Sequence, residues 1–206
     1  MFRELQKIRD HVRIALGISS STLVDTQIDE YINLIYRDVL PQVLQPPELR
    51  NEFYVTLIAG TGDYRVDADM LSILGPSYIG TDPIFVTTDA EWFWKRARDR
   101  ESESSSKPHL ALLFANEVKF YPIPDDNYNF YTVALARPDK LENDTDTIFN
   151  ESWFMAVVYH TAARITYNWG DYEAYQAHTR EGMGAVSLAR REQLARRTGQ
   201  RAMPSF

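Results

Sequence analysis

Apolar side chains recur through the first part of the chain at the spacing of one helix face. Phe2, Leu5, Ile8, Val12 and Leu16 follow at three- and four-residue steps, and Gly17 stands where a C′ glycine ends a helix. After Ser19–Ser21, any of Thr22, Asp25 or Thr26 suits an N-cap, and Ile28, Ile32, Ile35 and Val39 mark a second amphipathic helix. Pro41 should weaken its end and Pro46-Pro47 should stop it.

From Phe53 the period drops from 3.6 to two. Phe53, Val55 and Leu57 alternate with Tyr54, Thr56 and Ile58; Gly60-Thr61-Gly62-Asp63 is turn chemistry and Tyr64-Arg65-Val66 resumes the pattern, which predicts a hairpin. Residues 71–86 read as short strands broken at Gly75-Pro76 and Asp82-Pro83. A short helix follows, capped by Thr88 or Asp89 and carrying Glu91 to Lys95. The polar stretch from Glu101 to Pro108 reads as a mobile loop. Leu110–Phe114 and Val118–Tyr121 flank a tight connection, a second hairpin, and Tyr128 to Ala136 is the cleanest strand in the chain.

The helical period then returns. Phe154, Val158, Thr161 and Ile165 share one stripe and Ala156, His160, Ala163 and Tyr167 the next, an apolar arc wide enough for a central helix. Gly170 ends it and Asp171 caps another helix, with Tyr172, Tyr175, Thr179, Gly182, Val186 and Ala189 on one side. Gly182 and Gly184 weaken helix propensity, which points to close backbone packing or a kink. The fold class is thus α+β in one domain spanning 1–206. N- and C-terminal helices (2–45 and 148–198) form a bundle holding a β-rich insertion (50–145), and 199–206 is an extended C-terminal tail.

Charge is uneven along the chain. The total is −7; from Arg180 to Phe206 six arginines face two glutamates, giving +4 there and −11 elsewhere. An acidic body repels phosphate, which argues against general nucleic-acid binding, and a basic end suits an acidic partner surface or simply a helix C-terminus. Zero cysteines excludes disulfides, thiolate zinc sites and a cysteine nucleophile, and fits a reducing compartment. No apolar run approaches a membrane span, and the charged N-terminus is unlike a secretion signal.

Candidate chemistry is sparse. Gly60-Thr61-Gly62 lacks the third glycine and the lysine of a phosphate loop. His11, His109, His160 and His178 fall in four separate elements, and His160 reads as a core histidine. Asp67/Asp69 and Asp144/Asp146 have calcium-loop spacing without the glycine and distal glutamate that complete such a site. Trp153 and Trp169 read as core, leaving Trp92 and Trp94 for a surface role. No catalytic residue, cofactor or metal is expected.

Several strings in order sharpen the picture: Thr56 to Val66 with its Gly-rich turn, Met70-Leu71-Ser72-Ile73, Lys107-Pro108-His109, Val118 to Asp125, Ala136 to Leu141, and Gly170 to Tyr175. Together they resemble the head-to-tail adaptor (connector) proteins of tailed bacteriophages, especially the short-tailed type. The resemblance implies a non-enzymatic virion protein of the neck, made in the host cytoplasm. Twelve copies would form a ring between the portal and a downstream tail or nozzle protein, continuing a channel through which DNA passes without specific binding. It implies portal docking through the C-terminal segment, where Arg190, Arg191, Arg196, Arg197 and Arg201 precede the apolar anchors Met203 and Phe206. Without a long heptad seam, the free protein is expected to be a monomer or weak oligomer that closes into rings only on the portal. The competing reading is a small acidic hydrolase or carbohydrate-binding protein, which requires perturbed acids or histidines clustered in a pocket.

Overall fold

The computed structural model describes residues 4–19, 23–67, 69–98, 104–114 and 116–201, with side chains as far as residue 195. They form two compact units, one from 1–46 and 138–206 and the other from 47–137. The architecture is α+β, as the change of period predicts.

In the helical unit, α1 (Leu5–Leu16) buries Leu5, Ile8 and Val12 completely, and Gly17 closes it in the left-handed conformation (φ 65°). Helix α2 (Asp25–Asn33) starts one residue after Val24, with Asp25 in the first turn rather than at the cap; Thr22 lies outside the described residues. The chain does not stop at Asn33. A π-helical turn, Leu34–Val39, leads into α3 (Leu40–Leu44), and the extra residue shifts the buried face by one position. Ile28, Ile32 and Ile35 are buried as expected, but Val39 is 38% exposed and Leu40 takes its place in the core. The wide turn also places Pro41 at the start of α3, where its missing N–H breaks no ladder. Gln45, at φ 46°, ends the run before Pro46-Pro47.

Helix α5 (Phe154–Trp169) packs against α1, α2 and α6 and is the central element of this unit. Trp153, fully buried just before it, meets the rings of Phe149 at 4.7 Å and Tyr36 at 6.4 Å. Gly170 (φ 78°) separates α5 from α6 (Tyr172–Arg201), which Asp171 caps by accepting the Ala174 N–H. The backbone of α6 runs on past residue 198, where the tail is expected to begin; 202–206 lie outside the described residues. Tyr172 is 62% exposed and so leaves the packing face expected for it; it leans edge-on against Tyr167 instead.

The two helix glycines have different reasons. A Cβ on Gly182 would lie 3.0 Å from His160 Nε2, whereas nothing stands within 4 Å of a Cβ on Gly184. Alanine at either position gains helix propensity, about 1 kcal/mol. Gly184→Ala is therefore expected to raise stability by about 0.5–1 kcal/mol, while Gly182→Ala forfeits that gain by pushing α5 and α6 apart. Thermal melts of the two variants check this, and equal gains would refute the close approach.

The second unit is a curled, mixed sheet of eight strands: β1 (Arg50–Leu57), β2 (Asp63–Arg65), β3 (Met70–Ile73), β4 (Ser77–Ile79), β5 (Asp82–Thr87), β6 (Leu110–Phe114), β7 (Glu117–Tyr121) and β8 (Tyr128–Ala136). The order is β1-β8-β4-β5-β6-β7-β2, with β3 also on β8, and only β5 and β6 run parallel. The hairpin predicted over 53–66 does not form: β1 pairs with β8 and β2 with β7, at opposite ends of the sheet. Curling explains how five residues can join those ends. Gly60 N–H reaches Pro124 C=O and Phe120 N–H reaches Gly62 C=O, both at 2.8 Å. The turn chemistry at Gly60 is thus used to cross from one edge to the other (φ 77°).

The β6–β7 hairpin and β8 form as predicted. Asp82-Pro83 is no break, however. Pro83 pairs with Tyr78 on β4, and β6 reaches only Phe85 to Thr87, so the missing N–H interrupts nothing on that side. Leu57, Phe120 and Phe130 fill the inside of the curl with Ile79, Ile84 and Val118, the two phenylalanine rings 5.0 Å apart. Helix α4 (Ala90–Arg96), capped by Asp89, covers the other face of β6: Phe93 and Ala97 pack on Leu110 and Leu112. Buried on both faces, β6 reads as an unbroken apolar run.

Candidate interaction surfaces

The polar groups that sequence patterns single out go into the scaffold. Arg9, 7% exposed on α1, gives two N–H bonds to Asp29 on α2 (2.5 and 2.7 Å) and one to Asp144 (2.5 Å). The hydrogen bonds to Asp29 and Asp144 raise its pKa, against the effect of burial. Asn33, 8% exposed, meets the backbone of Leu141 twice, donating to its C=O and accepting its N–H, each at 2.9 Å. Arg37 donates to Pro138 C=O, and the buried Tyr36 hydroxyl, its pKa pushed up to about 12 by burial, accepts the Phe149 N–H. Asp146 accepts the N–H groups of Asn143 and Glu142, which lower its pKa. On the other side, the N–H groups of Leu5 and Gln6 bond the carbonyls of Asp146 and Asp144. The segment 138–149 is thus fastened to α1, α2 and the π-helical turn by side-chain and backbone hydrogen bonds.

The carboxylates at calcium-like spacing take part in hydrogen bonds within the chain. Asp144 is an arginine partner and Asp146 a turn cap, while Asp67 accepts the Asp69 N–H. No group of three or more metal-ligating side chains occurs among the described residues. The histidines stand apart: His11 bonds Lys7 C=O and leans on Phe154, His109 leans on Tyr121, His160 lies against Gly182, and His178 stacks on Tyr159. Burial lowers the pKa of His160 and of His178, the latter opposed by Asp171.

Several large apolar and cationic side chains also face outward. On α6, Met183, Leu188 and Leu194 are 61%, 58% and 59% exposed, and Met155 on α5 is 40% exposed. Trp169, expected in the core, is half exposed at the C-terminal end of α5. In the sheet unit, Trp92 packs on Phe85 with tilted rings 5.4 Å apart, the Arg96 guanidinium lies over the Trp92 ring, and Trp94 is 44% exposed. Of the residues expected to dock on the portal, Arg190 and Arg191 are exposed on α6, and Arg190 donates to Val43 C=O on α3 at 2.8 Å. The side chains of Arg196, Arg197 and Arg201, and Met203 and Phe206 entirely, lie outside the described residues. The exposed α6 stripes and the Arg9 clamp escape pattern reading: the first needs knowledge of which face α5 covers, the second joins residues 135 positions apart.

Large apolar side chains left exposed on a braced helical scaffold fit a protein that works through contacts. The chain matches the model of the SU10 adaptor protein family over residues 4–204, through both units, and it belongs to that family of phage head-tail adaptors. No curated protein matches it. Membership implies a structural protein of the phage particle that works by contact with portal and tail proteins. No helix among the described residues is long and apolar enough to cross a membrane.

Proposed function

We propose that the protein forms a ring of twelve copies between portal and tail in the virion neck, continues the DNA channel and docks the downstream tail or nozzle protein. The observation that carries this reading is the family match across both units. The acidic body supports it, since a net charge of −7, more negative still without the basic C-terminal stretch, lets DNA slide without adhering. The portal contact belongs to the C-terminal stretch, in which Arg190, Arg191, Arg196, Arg197 and Arg201 offer planar forks to carboxylates and Met203 and Phe206 serve as anchors.

The test is electron microscopy and sedimentation of the protein with and without its cognate portal. A ring capping the portal, with monomers or small oligomers in its absence, is the expected outcome. Stable dodecamers at micromolar concentration without portal would refute portal-dependent closure, and no ring in either case would refute the ring itself.

A further inference from the structure

Helix α6 buries one stripe against the helical unit: Gly182, Val186, Ala189 and Gln193, spaced at four, three and four. With 3.6 residues per turn, the stripe one position earlier lies about 100° to one side and the stripe one position later about 100° to the other. The two flanks differ in chemistry. The earlier one is Glu181, Ala185, Leu188 and Glu192, and it continues onto the start of α5, where Glu151, Ser152 and Met155 complete the lining of an open cavity of about 360 Å³. The later one is Met183, Ser187, Arg190 and Leu194, and it continues onto α3 through Val43, 41% exposed, whose carbonyl Arg190 holds. One flank is apolar and acidic, the other apolar and basic.

We infer that these flanks are the two halves of the contact between neighbouring copies, Leu188 and Met155 of one packing on Met183 and Leu194 of the next, with Glu192 facing Arg190. This rests on the ring reading and assigns its interface. Three large apolar side chains more than half exposed on one helix mark a contact surface. Their neighbours say what covers them: each flank carries the charge the other lacks, so a second copy satisfies both. The contact is heterologous, because the flanks are different and lie on opposite sides of the helix. Every copy leaves one of each free, and the series continues until it closes. Arg190 precedes Arg201 by about 16 Å of helix, so this contact takes Arg190 out of the portal set and leaves Arg191, Arg196, Arg197 and Arg201 to reach the portal.

The absence of native cysteine allows a clean test in the full chain. Leu188→Cys and Leu194→Cys proteins, assembled on the portal separately and as a mixture, are treated with a short bismaleimide. A cross-linked dimer is expected in the mixture at a yield at least tenfold above either protein alone, and the double variant should give a ladder of multimers. The two sulfurs of one copy lie on opposite flanks and cannot be joined to each other. Glu192→Arg should cut the cross-link several-fold, and Arg190→Glu in the adjacent copy should restore it. Equal cross-linking within a single variant would show a twofold contact and overturn the proposal. So would failure of both cross-linking and charge rescue while unmodified protein still forms rings, which leaves the ring reading intact. Loss of rings in the unmodified protein overturns both.

Discussion

Removal of residues 199–206 is expected to leave the fold intact and to abolish attachment to the portal. The buried residues along which α6 packs on the rest of its unit, Gly182, Val186, Ala189 and Gln193, all lie upstream of the cut, so melting should change little. Binding should change completely. Fixing this stretch on a partner costs roughly 1–2 kcal/mol per residue in backbone entropy, so no single contact can hold it. Arg201, Met203 and Phe206 must act together with the arginines before them, and removing three of the anchors leaves the others unable to offset the ordering cost. In the proposed ring, repetition amplifies the loss, since each copy that engages raises the effective concentration of the next. The same argument makes attachment of the intact protein fall as salt rises, because the arginine contacts lie at a screened surface. Cosedimentation with portal, at low and high salt, checks both statements. Undiminished attachment of the truncated protein would move the docking role elsewhere, leaving the α6 flanks as the next surface to examine.

Local chemistry was legible wherever one element decides its own conformation. The α1 stripe closed by Gly17, the strand from Tyr128 to Ala136 and the Asp171 cap needed only period and capping rules. Misreadings came where a second element intervenes. A π-helical turn after Asn33 moves burial from Val39 to Leu40, and no sequence period announces the inserted residue. The Gly60 turn is real, but whether it folds β1 onto β2 or carries the chain across a curled sheet depends on β8 claiming β1 over its whole length. Trp169 has core composition and lies half exposed at the end of its helix. For function the informative features were global: the order of helices and strands, and the separation of acidic body from basic end. The α6 flanks became visible only once the buried stripe was known.

Arg9→Met is expected to lower stability by about 2–3 kcal/mol and to loosen the return from sheet to helices. Methionine keeps the apolar stem of the side chain while removing the guanidinium, so most of the loss reports the ion pairs. Removing one member of a buried pair costs about 3–5 kcal/mol when the orphaned charge stays in a dry site. Here Asp29 and Asp144 have side chains 20% and 63% exposed, so water recovers part of that cost. The other fastening is Asn33. Asn33→Ala leaves the Leu141 N–H and C=O without their partner, at about 1–3 kcal/mol for each buried group. Both variants release the same segment, so the double variant should cost less than the sum of the singles. Hydrogen exchange gives the local readout: the Leu5 and Gln6 amides, bonded to the carbonyls of Asp146 and Asp144, should lose protection in either variant. The Lys95–Glu91 pair on α4 is the control, since both its side chains are more than two-thirds exposed and Lys95→Met should cost only about 0.3–0.5 kcal/mol. If Arg9→Met costs no more than that control, the clamp is an ornament of the surface and the return segment is held by packing alone.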